Sequence, residues 1–418
     1  MTSNPTMTQH PNAPTGRIVS YAPDAAGPLT GLKVLDLSRL VAGNVLSVQL
    51  ADFGADVVKI EPPEGDALRF WKEAGKELYW ASYCRNKRSI GLNLRDPKAR
   101  EILLDMVRTA DVLVENYRPG TLEKMGLAPA VLHEANDRLV LVRISGFGQT
   151  GPYSPLPGFG TLVEAMSGFA ARTGFPDREP VLPQNPLADM MAGLQGAFAV
   201  VTAVLARNEK GVRNQIVDVA LLEPLFSTMG TDLAVYRQNG QVAPRQGSGS
   251  NGSAPRNVYC CRDDKFVALS ASTQSTAVRV FDVIGRPELK DDPRFATNTT
   301  RVEHREDLDD ALAAWFATKT RPQALAAMQA GEVPVAAIYD VADISADPHF
   351  IEREVFVEAE DEDGSYVPMH NISPRLSASP GAFRCPAPRL GEHSDDLLGA
   401  LGYGLDDIRA LRSAGVVI

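Results

Sequence analysis

The sequence predicts a doubly wound α/β domain followed by a second, smaller α+β region. Short apolar runs alternate with helical stretches through residue 145, and the first run, helix and second run form a βαβ unit. The alternation breaks at residues 242–256, which carry Gly247, Gly249, Gly252 and two prolines but little apolar content.

Residues 32–37 (LKVLDL) form an apolar run that reads as a buried strand, and 44–53 as a helix stopped by Gly54 at a C′ position. Residues 56–61 give the next strand, closed by Pro62-Pro63; the unit implies a parallel sheet with helices on its faces. Asp96 as N-cap and Pro97 at the first helical position open a helix over 97–109. A strand over 110–115, a helix over 122–135 and a strand over 139–144 follow. Residues 190–207 are apolar on nearly all sides, which predicts a buried core helix. The stretch 190–206 would span only about 25 Å as a helix and carries Gln195 and Thr202, so it is not read as a membrane span. A strand over 215–219 and a long helix over 221–238 precede the glycine-bearing segment. Beyond it come strands over 258–261 and 266–270 and helices over 275–284, 305–318 and 322–330. Short strands and Pro-rich segments then lead to a terminal piece around 397–418. The expected organisation is a flexible tail (1–28), a large domain (29–220) and a linker helix with glycine loop (221–255). A small α+β domain (256–345) and a return segment packing on the large domain (346–418) complete it.

With 418 residues, 44% hydrophobic and 22% charged, the chain has an ordinary globular composition and the length for two or three domains. A net charge of −10 excludes a broad basic surface for nucleic acid, though not a local basic pocket. The N-terminal residues lack an apolar signal-peptide core. Cys84, Cys260, Cys261 and Cys385 make no C-x-x-C pair, which argues against a disulfide framework or a zinc site. The expectation is a soluble, cytoplasmic protein with no metal.

Two segments match G-x-G-x-x-G, at 146–151 and 247–252. The first is followed by prolines instead of a helix and the second follows no strand, so neither has the context of a dinucleotide site. The six histidines show no metal-ligand spacing, and G-x-S-x-G is absent. Asp189 differs. It stands just before the most apolar helix, where an aspartate suits an N-cap and where the positive helix end favours an ionised carboxylate. Gly193 and Gly196 leave room for close approach of another backbone or a substrate. Capping and nucleophilic roles are compatible.

Four segments together resemble family III CoA-transferases, the group of formyl-CoA and carnitine CoA-transferases. They are Gly31-Leu32-Lys33-Val34-Leu35-Asp36-Leu37 with Ala42-Gly43; Gly54-Ala55-Asp56-Val57-Val58-Lys59-Ile60-Glu61; Asn86-Lys87-Arg88-Ser89-Ile90 before Leu92; and Glu115-Asn116-Tyr117-Arg118-Pro119-Gly120. Ala188-Asp189 and Leu390-Gly391-Glu392-His393 match as well, so the resemblance covers residues 29–398.

That resemblance implies a Rossmann-like large domain that binds coenzyme A, and ring-shaped monomers threaded into an interlocked homodimer. It implies CoA transfer between an acyl-CoA and a free carboxylate, with no tightly bound cofactor and Asp189 as nucleophile through an aspartyl-acyl anhydride and an aspartyl-CoA thioester. By matched position, Leu40, Val41 and Ala42 line the CoA site, while Leu92, Arg95, Asn116, Tyr117 and Lys124 hold the nucleotide and its phosphates. Trp71 lies where the family places an aromatic near the acyl group. Gly247, Gly249 and Gly252 resemble the loop that covers the intermediate, and an ordinary linker is the competing reading. The 2-methylacyl-CoA racemases of the same superfamily carry a Gly-His-Asp triplet where this chain has Gly158-Phe159-Gly160, and racemisation needs a base on each face of the α-carbon. A racemase or epimerase is therefore the second reading, and a non-catalytic CoA-binding protein the third. Gly160 also lacks the tyrosine hydroxyl that transferases carry in this stretch.

Overall fold

The computed structural model describes residues 14–361 and 363–418. Most of the expected N-terminal tail, residues 1–13, lies outside the described residues. The rest of that tail is not loose. Arg17–Ile18 (β1) pairs in parallel with Phe356–Glu360 (β11), which pairs antiparallel with Tyr366–His370 (β12). Glu358 Oε1 accepts the Gly16 N–H at 2.8 Å.

The chain forms two compact units. The first holds residues up to 170, 182–238 and 348–418, and the second holds 171–181 and 239–347. The core of the first is a parallel sheet of β2 (Lys33–Asp36), β3 (Asp56–Glu61), β4 (Lys87–Gly91), β5 (Val112–Glu115), β6 (Val140–Ser145) and β7 (Ile216–Ala220), in the order β4-β3-β2-β5-β6-β7. The order reverses direction between β2 and β5, the switch point at which a doubly wound sheet opens a crevice beyond its carboxyl ends.

The sheet carries apolar side chains on both faces because helices cover both. Side chains alternate across the sheet. Leu35, Val58, Ile60, Ile90, Leu113 and Leu141 face a core completed by Ile102 and Leu103 of the Pro97–Val107 helix and by Leu398, Ile408 and Val417 of the C-terminal segment. Val34, Val57, Val112, Val114, Val140 and Val142 face the opposite core with Leu46 and Leu50 of the first helix, Ala42–Asp52, and Ala192 and Val200 of the long helix, Leu187–Lys210. The Leu390–His393 segment docks on β4, where His393 N–H donates to Ser89 O at 2.9 Å and Gly391 N–H to Ser89 Oγ at 3.0 Å.

Several elements differ from the sequence expectation. The long helix is not buried all round: Leu194, Phe198 and Leu205 are 54%, 72% and 59% exposed in the single chain. It is the one helix among the described residues long and apolar enough to cross a membrane, and its inner face packs on the sheet and the first helix. The stretches expected as single helices over 122–135 and 221–238 are each broken in two, into Thr121–Lys124 with Pro129–Ala135 and Leu222–Ser227 with Asp232–Asn239. Gly126, at a φ of +78°, and Gly230, at +59°, stand in the two breaks, where left-handed backbone ends a helix. β4 was not foreseen as a strand because its Lys87-Arg88-Ser89 stretch is polar; buried ionic partners explain it, as described below.

In the second unit, β8 (Arg256–Cys260), β9 (Phe266–Ser270) and β10 (Val335–Ala337) form an antiparallel sheet covered by Gln274–Val283, Arg305–Phe316 and Arg321–Ala330. Among the described residues the four cysteines are free; Cys260 is exposed and Cys261 buried, as adjacent positions at a strand end require.

Candidate active site

Asp189 lies in the first turn of the long helix, three residues after Pro186, which occupies the N-cap and makes no side-chain bond there. It is thus inside the helix and not its cap. The backbone N–H groups of Asp189 itself and of Ala42, at the start of the first helix, favour its charged form. Burial and the neighbouring Glu164 carboxylate outweigh those donors and push Asp189 up to about 6. The helix end therefore does not set this carboxylate's proton affinity as the sequence suggested; desolvation outweighs it.

Gly193 and Gly196 give this arrangement its closeness, by the first of the two expected routes, the approach of another backbone. A methyl group on Gly193 would lie 2.6 Å from Val45 Cγ1 and 2.8 Å from Ala42 O, and one on Gly196 would lie 2.6 Å from Leu46 Cδ1. The two glycines therefore admit the first helix, and with it the Ala42 N–H, instead of a substrate.

Gly160 has a similar role. It begins the short helix Gly160–Met166, and a methyl group there would lie 2.3 Å from Asp189 Oδ2. Its backbone is not left-handed, so alanine is conformationally allowed; what it forbids is the present position of the carboxylate. Gly160→Ala is expected to lower kcat/KM by roughly a hundredfold by displacing the carboxylate by an ångström or so. CoA affinity and thermal midpoint should stay close to wild type. Steady-state kinetics beside calorimetric titration with CoA checks this, and unchanged kinetics would contradict it.

The turn that delivers Ala42 rests on a buried ionic network. Lys59, on β3, lies 3.3 Å from Asp36 and 3.0 Å from Asp66, all out of contact with solvent. Lys87, on β4, donates to Asn44 Oδ1 at 3.0 Å and lies 3.5 Å from Asp36. Asp66 accepts the Leu40 N–H at 2.9 Å, and Asn44 Nδ2 donates to Leu40 O at 2.6 Å. Leu40 is thereby held at a φ of +61°, a conformation that costs a bulky residue roughly 1–3 kcal/mol and persists where its surroundings enforce it. Glu61 anchors the next turn: it accepts from Arg69 Nε at 2.8 Å, from Ser89 Oγ at 2.6 Å and from Asp66 N–H at 3.0 Å. Asp36, Lys59, Glu61, Lys87 and Ser89 of the motif segments belong to this network, which explains why charged positions sit inside strands.

At the carboxyl ends of β3, β4 and β5 a cavity of about 640 Å³ is lined by Leu92, Arg95, Tyr117 and Lys124, with Arg39 and Arg100 beside them. Four of the residues expected at the nucleotide therefore converge on one space. Arg39, over the Tyr117 ring at 5.7 Å, and Arg100, which donates to Leu94 O and Arg95 O, were not singled out in the sequence. Asn116 is occupied otherwise. Its side chain accepts from Arg39 N–H at 2.8 Å and donates to Arg39 O at 2.7 Å, tying the β2 and β5 turns across the switch point. Leu40 and Val41 lie in an apolar cluster with Leu68 and Trp80. Trp71 is 41% exposed and stacks edge-on against Tyr79 at 5.6 Å.

Gly247, Gly249 and Gly252 belong to the second unit, whose own residues hold their segment. Gly247 N–H donates to Gly174 O at 2.9 Å, Asn298 Nδ2 to Gly252 O at 2.9 Å, and Arg305 Nη1 to Gln246 Oε1 at 2.9 Å. Among the described residues no cluster of His, Cys, Asp and Glu has the makings of a metal site.

The architecture is that of a doubly wound α/β enzyme. More narrowly, the chain belongs to CoA-transferase family III, whose model matches residues 29–394, and it is a transferase of that family. It is 38% identical over 395 residues to the succinyl-CoA–D-citramalate CoA-transferase of Chloroflexus aurantiacus, covering 93% of this chain and 98% of that one. It is 32% identical to the succinate–glutarate CoA-transferase of Agrobacterium fabrum, with 91% and 97% covered. The crystal structure of a CaiB/BaiF family protein from Brucella suis superposes with a TM-score of 0.79 at 32% identity, covering 90% of this chain and all of that one.

Proposed function

We propose that the protein transfers CoA from an acyl-CoA, with succinyl-CoA the first donor to consider, to a free dicarboxylate, using Asp189 as nucleophile. The observation that carries this reading is the Asp189 carboxylate itself: partly buried in the first turn of the long helix, near the Ala42 N–H and Glu164, with a proton affinity raised to about 6. Named relatives act on succinyl-CoA with D-citramalate and on succinate with glutarate, which supports four- and five-carbon dicarboxylic acyl groups here.

In this mechanism Asp189 Oδ bonds to the thioester carbonyl carbon, the C–S bond breaks and CoA leaves as thiolate. The thiolate then attacks Asp189 Cγ, the anhydride C–O bond breaks and the donor acid departs. The acceptor carboxylate attacks the aspartyl-CoA thioester, forming a second anhydride and freeing the thiolate again. Thiolate attack on the acceptor's acyl carbon regenerates Asp189. Every intermediate stays activated, so no outside energy source enters. The 3′-phosphate and diphosphate of CoA carry charge that Arg39, Arg95, Arg100 and Lys124 complement. The exposed apolar face of the long helix supports pairing with a second copy, and we assign the family's interlocked homodimer to it. A cytoplasmic location fits these substrates.

The test is intact-protein mass spectrometry after incubation with succinyl-CoA and other acyl-CoAs, followed by hydroxylamine or borohydride treatment and peptide mapping. A donor-dependent adduct on Asp189 is expected. No adduct with any donor, together with deuterium entering the acyl α-carbon, would replace this reading with a racemase. CoA binding without either reaction would leave a non-catalytic binder.

A further inference from the structure

We propose that Glu164 is a positioning residue for this reaction, a fixed buried carboxylate whose charge acts directly on the nucleophile. The inference rests on Asp189 being that nucleophile. Glu164 lies in the short helix Gly160–Met166 and is 2% exposed. Its Oε1 accepts the N–H of Ala188, the residue before Asp189, at 3.1 Å. That bond ties the Glu164 side chain to the same turn that carries the nucleophile.

A methyl group on Gly160 would lie 2.3 Å from Asp189 Oδ2 and 3.8 Å from Glu164 Oε1, so both groups converge over one bare Cα. The groups that act on Asp189 are the N–H of Ala42 from the first helix, its own N–H, and Glu164 from the short helix, which is the charged side chain among them. The N–H groups favour the ionised form and Glu164 opposes it. The consequence for catalysis follows from basicity. An ordinary aspartate is a weak nucleophile, and a neighbouring negative charge out of water makes it a better one while leaving it ionised at neutral pH. An amide at position 164 would satisfy the Ala188 N–H equally well but would carry no charge. Glutamate at this position therefore supplies something that hydrogen bonding alone does not require.

Glu164→Gln separates the two roles. The acid limb of kcat/KM is expected to move to lower pH by roughly one unit, with kcat at its plateau falling several-fold. KM for the acyl-CoA should be unchanged, and the thermal midpoint at neutral pH should not fall, since the repulsion between the two carboxylates is relieved. An unshifted limb, whether activity is kept or lost, would overturn the proposal and leave Glu164 a purely structural group. Glu164→Asp, which keeps the charge, should retain a limb close to wild type even if the Gln variant folds poorly; a limb shifted down in Glu164→Asp would also count against it. Failure of the underlying reading would show differently, as an acyl adduct mapping away from Asp189 or an Asp189→Asn variant that still turns over.

Discussion

Asp189→Asn is expected to abolish CoA transfer, lowering kcat by roughly three orders of magnitude or more, because the covalent step loses its nucleophile. The same substitution should make the protein more stable at neutral pH. Asp189 has its proton affinity raised on folding from an ordinary 3.8 to about 6, so the folded state binds the proton more tightly than the unfolded chain does. Between those values stability falls as pH rises, and above about 6 the folded protein carries the full penalty of a partly desolvated charge near Glu164. A neutral isostere removes that penalty, worth about 3 kcal/mol at most. The gain should be present at pH 7.5 and vanish below pH 4. Denaturant unfolding of both proteins at the two pH values checks the sign, and initial-rate assays check the loss. A variant both inactive and unstable at pH 7.5 would mean that Asp189 serves the fold and not the chemistry.

Lys59→Met should have the largest effect on folding, a loss of roughly 3–5 kcal/mol. The methionine fits the space of the lysine stem, but Asp66 loses its cation and Asp36 keeps only Lys87, at 3.5 Å. Burial by itself would raise both aspartates; the two lysines, with Ser38 and Ser47 on Asp36 and backbone N–H groups on Asp66, bring them below the ordinary carboxylate value instead. Groups lowered in this way contribute stability above their unfolded value of 3.8 and lose it as pH falls through the folded one. Wild-type protein should therefore unfold in acid as this network protonates, and Lys59→Met should unfold at higher pH. Equilibrium urea titrations followed by circular dichroism measure both. A midpoint within error of wild type would show that the network is dispensable. The partly folded variant is also expected to lose activity, since Leu40 and the Ala42 N–H hang from Asp66 and Asn44.

Reading the sequence located most strands of the main sheet because each carries its apolar residues contiguously, and local period is what alternation reports. It missed β4 for the same reason: Lys87 and Ser89 find their partners outside the strand, in Asp36 of β2 and Glu61 of β3. The long helix was overburied in the reading. Its apolar residues cover the whole circumference, and composition does not say which of them a single chain covers.

The site divides along the same line. Asp189 and Tyr117 were singled out inside motif segments, each a continuous piece of chain, and Arg95 and Lys124 only by position matched to the family. Glu164, Arg39 and Arg100 were not, because their significance comes from what stands opposite them. A signal for one of these was present: Gly160 and Glu164 are four apart, one helical turn, and a glycine opening such a turn ahead of an acidic residue leaves that side of the helix bare. What the sequence by itself determined is most of the strands and helices of the main sheet, set by local pattern, and, through resemblance to the family, which carboxylate is proposed as the nucleophile. What only the tertiary structure decided is the chemistry of that carboxylate. Burial, the Ala42 N–H, the missing side chain at Gly160 and the charge at Glu164 arrive from three separate helices, and electrostatic effects depend on distance in space, not on distance along the chain.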